Sequence, residues 1–228
     1  MLPLLKERSF RILTRIRSHI CLQFFFVKSK FISIGLTGAM GSGKSAASAI
    51  FLSLGANVID TDALAKSQLE SNEDLRAEVS ALLGREAYEG GRLNKPYIAA
   101  KVFGNRELLE RYEALIHPRV ELAWRDMMLE GRVNVVEIPL LFEKRDCLPS
   151  ISSFDAICSL YCSAKVRRRR LLERGMTQSD IDARDANQLP AEEKLRLSDV
   201  VFFNDGSRDF LREQIEIFFK RLTYGRRI

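Results

Sequence analysis

Gly38-Ala39-Met40-Gly41-Ser42-Gly43-Lys44-Ser45 has the spacing Gly-x4-Gly-Lys-Ser, which suits a loop that wraps around phosphate. Glycines placed this way let successive backbone N–H groups point into one concavity with no Cβ between them and an anion. Lys44 adds a point charge for the outer phosphates, and the Ser45 hydroxyl is a hard oxygen for Mg²⁺. The bland alternative, a glycine-rich turn between two elements, explains the glycines but not Lys44-Ser45 at the start of a helix. The implied chemistry is nucleotide binding, with the triphosphate at a helix N-terminus.

Further along, Asp60 and Asp62 close the short apolar run Asn57-Val58-Ile59. In open α/β sheets ligands gather beyond the carboxyl ends of strands, so both carboxylates arrive on the same rim as the phosphate loop. The competing role for Asp62 is N-cap of a helix over 63–69, and the two roles are compatible. Arg167, Arg170 and Arg174 fall on one helical face within the run 165–174, where a phosphoryl-transfer enzyme needs cations, although a charge run is more often a solvated face. His117-Pro118 and Pro139 are punctuation by composition alone.

The elements that must carry these residues alternate. Strands are expected at 31–36, 57–62, 133–138, 154–161 and 199–203, each β-branched or aromatic and bounded by polar or turn residues. Helices fill the intervals: one after the phosphate loop ending at Gly55, then 73–83, 95–103 and a long run from Arg106. His117-Pro118 should break that run, with a second helix starting at Pro118, because proline disfavours helical geometry in the residue before it. Glu89-Gly90-Gly91-Arg92 marks a turn, and the last helix buries Phe210, Leu211, Ile215, Phe218, Phe219 and Leu222. The fold class is α/β: a five-stranded parallel sheet with helices on both faces, a helical insert at about 72–130 and a lid at about 163–190.

The 228 residues suffice for one such domain. The net charge of +6 suggests nucleic acid until it is located. Residues 1–30 hold seven basic side chains against Glu7 alone, and the remaining 198 hold 29 of each sign. The basic character therefore belongs to an N-terminal arm, and the balanced body argues against a nucleic-acid footprint. That arm could be a transit segment or a lipid-facing helix, but the preferred reading is a dispensable extension ahead of the first strand. Cys21, Cys147, Cys158 and Cys162 match neither a zinc pair nor a disulfide framework, so reduced thiols are expected. No apolar run is long and uncharged enough to predict a membrane span.

From about Phe31 to Leu222 the sequence resembles the dephospho-coenzyme A kinase family. The resemblance is carried by motifs in order: Ile34-Gly35-Leu36-Thr37-Gly38 into the loop, Leu54-Gly55, Val58-Ile59-Asp60-Thr61-Asp62, and Gly91-x-Leu93-Asn94-Lys95. His117-Pro118, Pro139-Leu140-Leu141-Phe142-Glu143, Arg184 with Gln188, Ser198-Asp199 and Asn204 complete the series. It implies transfer of the ATP γ-phosphoryl group to the ribose 3′-hydroxyl of dephospho-CoA in the cytoplasm. On matching positions, Gly38, Gly41, Ser42, Gly43, Lys44, Ser45 and Ala46 would hold ATP, with Ser45 on Mg²⁺. Asp62 would be the base, His117 and Pro139 would border the acceptor, and Arg174, or else Arg170, would neutralise the transferring phosphate. Ala39-Met40, Ala46 and Lys95 depart from common family residues; the first three can act through backbone N–H groups, while Lys95 touches only substrate detail. The alternative is another phosphate-loop kinase acting on nucleotides or nucleosides. A regulatory GTPase is disfavoured because no Asn-Lys-x-Asp guanine reader is present. Oligomeric state is open.

Overall fold

The computed structural model describes residues 31–144 and 149–224. Statements about the basic arm, Cys21 and Cys147 lie outside these residues. Five strands form one parallel sheet in the order β2-β5-β1-β6-β7: β1 (Ile32–Gly38), β2 (Asn57–Asp60), β5 (Val133–Glu137), β6 (Ala156–Tyr161) and β7 (Val200–Phe203). All seven residues of β1 are buried, as a central strand covered on both faces requires. Its register pairs Ile34 with Val135 on one side and with Ala156 on the other.

Nine α-helices occur among the described residues. The chain divides into two compact units, the second built from residues 59–128 and 146–150. In the first unit, α1 (Lys44–Ser53) and α9 (Arg208–Tyr224) share a core with the sheet, where Ile50, Phe51, Leu211 and Ile215 are at most 1% exposed. Phe51 meets Phe202 edge-on at 6.0 Å between ring centroids, an arrangement favoured by the ring quadrupoles. Helix α1 ends where Gly55 N–H reaches Leu52 O and Ala56 N–H reaches Phe51 O, the paired bonds of a Schellman stop at the expected glycine. Helices α6 (Ala164–Glu173), α7 (Gln178–Asp185) and α8 (Ala191–Leu197) complete this unit. Thr177 caps α7 by accepting from Asp180 N–H.

Strands β6 and β7 begin later than expected, and the same chemistry accounts for both. Asp155 accepts the Ser33 N–H with its carboxylate at 2.7 Å, and Asp199 accepts that of Ile157 at 2.8 Å. Each acid takes with its side chain a ladder donor that a strand residue would have taken with its carbonyl.

The second unit contains α2 (Thr61–Ser71), α3 (Glu73–Leu83), α4 (Lys95–Val102) and α5 (Arg106–Asp126). A two-residue hairpin joins β3 (Tyr88–Glu89) to β4 (Arg92–Leu93). Gly90 and Gly91 have φ of 55° and 81°, the left-handed pair that a type I′ turn demands, so the expected turn is a hairpin. Helix α3 buries Leu75, Val79 and Leu83.

Helix α5 corrects the expected break at His117-Pro118, because it runs unbroken through Pro118. Proline's fixed φ is itself helical, and the cost is one missing N–H and crowding of the preceding turn. The Arg119 guanidinium donates to Leu115 O at 2.8 Å, a side-chain partner for a carbonyl in that turn. Ile116, Val120 and Trp124 bury one continuous stripe across it. Pairing of Arg119 with Glu78 at 2.7 Å joins α5 to α3. His117 is thus a mid-helix residue rather than a helix terminus.

Candidate active site

The phosphate loop leaves the carboxyl end of β1 and enters α1 through Gly43, the N-cap residue, in left-handed geometry at φ 103°. A Cβ at Gly43 would collide with the Asn204 amide, so glycine is required by conformation and by space. Helix α1 begins at Lys44, which places Lys44, Ser45 and Ala46 in its first turn. The Ser42 N–H closes the loop on Ala39 O at 3.1 Å, and both Ala46 and Ala47 donate to Gly43 O. The backbone N–H groups of Gly41, Gly43 and Ser45 meet no acceptor among the described residues. Donors of this kind at a helix N-terminus form an anion site.

Lys44 Nζ donates to Gly38 O at 2.9 Å, folding the ammonium back across the loop. Ser45 is exposed, and its hydroxyl has no partner among the described residues. A hydrated Mg²⁺ needs only one or two protein oxygens beside phosphate and water, so a single accessible hydroxyl fits that ion.

Side chains from α6 onward secure the back of the loop. Arg167, 8% exposed, forms a two-pronged pair with Asp185 at 3.0 and 2.9 Å. The same guanidinium donates to Met40 O at 2.9 Å. Gln188 Oε1 accepts from Met40 N–H at 3.3 Å, and Asn204 Nδ2 donates to Ser42 O at 2.7 Å. Arg170 donates to Asn204 O at 2.9 Å and lies 3.4 Å from Cys162 Sγ. Arg174 is exposed at the end of α6, where its N–H donates to Leu171 O at 3.1 Å and its guanidinium has no hydrogen bond or ion pair among the described residues.

The structure therefore places Gly38, Gly41, Ser42, Gly43, Lys44, Ser45 and Ala46 along one loop, from the carboxyl end of β1 to the first turn of α1. Pro139 belongs to the same unit, and its carbonyl accepts from Thr37 Oγ1 at 3.2 Å. Asp62 and His117 belong to the second unit. Asp62 is not the cap of α2. Asp60 is: its carboxylate accepts from Asp62 N–H at 2.9 Å and Ala63 N–H at 3.1 Å. The helix starts at Thr61 because that acid turns back on its own chain, which leaves Asp62 exposed in the first turn.

Two features escaped sequence reading. Asn204 stood among the motifs with no role, and nothing in its local sequence shows that it reaches the loop. Lys194, 2% exposed, pairs with Glu143 at 2.6 Å, and Glu143 also accepts from Leu189 N–H at 3.0 Å. A lysine in a helix of alternating charges reads as solvated, and only the fold reveals its burial. Cys158 and Cys162 are free and buried, and burial raises both thiols, Asp199 adding to the effect at Cys158. Both stay protonated and unreactive near neutral pH. In the second unit, burial beside Tyr88 pushes the Tyr112 phenol up to about 12.

Comparison with known proteins gives the family of the chain. The family described as dephospho-CoA kinase matches residues 32–209. A dephospho-CoA kinase of Chlamydia pneumoniae is 33% identical over 200 residues, covering 85% of this chain and 97% of its own. A crystal structure from Thermus thermophilus superposes with a TM-score of 0.74 at 34% identity, over 85% of this chain and 98% of that one. Shikimate kinase of Acinetobacter baumannii, at 11% identity and TM-score 0.51 over 91% and 99% of the two chains, shares the fold alone.

Proposed function

The chain belongs to the dephospho-CoA kinase family, and from that premise we propose that it transfers the γ-phosphoryl group of ATP to the ribose 3′-hydroxyl of dephospho-CoA, giving CoA and ADP. The observation that carries this reading is the loop over 38–46, with its open N–H groups at the head of α1, in a chain of this family. Gly41, Gly43 and Ser45 donate backbone N–H bonds to phosphate oxygens, and Lys44 supplies the countercharge. Ser45 would hold Mg²⁺, which would supply charge neutralisation to the outer phosphates.

Asp62 is assigned as the base. It accepts the hydroxyl proton while the ribose oxygen bonds to the γ-phosphorus and the bond to the departing ADP oxygen breaks. Phosphoryl transfer needs little covalent help, so aiming the hydroxyl matters as much as removing its proton. His117 and Pro139 are assigned to the acceptor side. Arg174, exposed and unpaired among the described residues, suits a cation that engages only with substrate present. Arg167 does not, because Asp185 and Met40 already hold it. The second unit is assigned to the acceptor, and 163–190 to the lid. No helix among the described residues is long and apolar enough to cross a membrane, and a cytoplasmic place goes with this reading.

The test is ADP release by purified protein with MgATP against a panel of hydroxyl acceptors. Dephospho-CoA should be turned over and CoA identified as product. Turnover of a nucleoside or nucleoside monophosphate without CoA formation overturns the assignment.

A further inference from the structure

The loop's hydrogen bonds divide by side. Two carbonyls, those of Met40 and Ser42, are each taken by a side chain from a distant part of the chain, Arg167 and Asn204, at 2.9 and 2.7 Å. The next N–H after each, on Gly41 and on Gly43, meets no acceptor among the described residues. These facts are linked by the planarity of the peptide bond. In a trans peptide the C=O of one residue and the N–H of the next point in opposite directions. Whatever grips the Met40 carbonyl therefore fixes the direction of the Gly41 N–H, and whatever grips the Ser42 carbonyl fixes that of Gly43.

We propose that Arg167 and Asn204 are positioning residues for the triphosphate: by holding the Met40 and Ser42 carbonyls from behind, they aim the Gly41 and Gly43 N–H groups at the bound phosphates. Both peptides sit beside glycines, whose freedom lets an unheld peptide rotate and turn its carbonyl oxygen toward the anion. Asp185 balances the charge of Arg167, so this cation orients the loop without competing for phosphate itself. Gln188 holds the Met40 N–H and limits rotation on the other side of that residue. The proposal rests on the kinase reading for the identity of the phosphate ligand, but its test does not require the acceptor.

Asn204→Asp keeps size and shape while replacing the donor toward Ser42 with an oxygen. Arg167→Met removes the grip on Met40, and Arg167→Lys restores one donor. Each variant is checked for folding by thermal unfolding and then titrated with ATP, ADP and AMP. Asn204→Asp and Arg167→Met should each weaken ATP and ADP about tenfold, the scale of a lost hydrogen bond plus a misdirected one. AMP, which lacks the outer phosphates, should change less than twofold, and Arg167→Lys should recover most of the loss. Equal weakening of all three nucleotides, or ATP affinity unchanged in folded variants, overturns the proposal. An unsubstituted protein that binds no ATP overturns both this and the kinase reading. One that binds ATP with the predicted pattern yet leaves dephospho-CoA untouched overturns the acceptor alone.

Discussion

Asp60 and Asp62 stand two apart on the same stretch, yet the structure gives them different work. Asp60 accepts two backbone N–H groups at the start of α2, whereas Asp62 is exposed one helical residue later. Asp60→Ala should therefore lower unfolding stability by about 1 kcal/mol, measured by denaturant titration, the usual cost of a lost N-cap. Asp62→Asn should leave stability and ATP affinity within error while turnover falls by about 10²–10⁴, the range of a general base. The reverse pattern, stable Asp60→Ala and destabilised Asp62→Asn, returns Asp62 to a capping role. The sequence offered two acids at a strand end and could not separate them, because which carboxylate turns back depends on where the strand stops. Lys44 and Ser45 were legible because their spacing relative to the glycines is the whole signal. Arg167 was legible only as one of four consecutive arginines. Its partners Asp185 and Met40 are 18 and 127 residues away, and no local pattern reports them.

Helix α5 shows how packing overrules a local preference. Proline in the middle of a helix costs about 3 kcal/mol relative to alanine, which is the reason to expect a break at His117-Pro118. The stripe Ile116, Val120 and Trp124 spans the proline, and breaking the helix there would expose part of it. Burial of such side chains contributes roughly 1.5–3 kcal/mol each, enough to outweigh one proline. Pro118 is exposed and therefore free of packing constraints of its own. Pro118→Ala should raise stability by about 1–2 kcal/mol, less than the full helix penalty because proline also restricts the unfolded chain. Loss of stability on that change would show that proline's restriction of the unfolded chain outweighs its helix penalty here. Elements with clean periodicity were legible throughout: α3 occupies the expected 73–83, and the strands lie where β-branched runs placed them. Strand starts were not, since Asp155 and Asp199 end the pattern with side-chain bonds that a hydrophobicity pattern does not carry.

Charge is distributed so that its removal can be separated from function. All +6 of the net charge lies in residues 1–30, and residues 31–228 are balanced. The phosphate loop, the sheet and the clamps of Arg167 and Asn204 all belong to residues after 31, and the family match begins at 32. An internal anchor of this body is the Lys194–Glu143 pair, 2% and 11% exposed, which joins α8 to the segment after β5. It is largely shielded from solvent, and both of its partners lie within residues 31–228. A chain of residues 31–228 should therefore turn over dephospho-CoA within twofold of the full chain and unfold at the same denaturant midpoint. Its handling should change instead: retention on a cation exchanger at pH 7 should be lost, and solubility should pass through a minimum near neutrality as net charge approaches zero. A folded, soluble truncation with less than a tenth of the turnover would place part of the working site in residues 1–30, and the balance of charge along the chain would then no longer mark the edge of the enzyme.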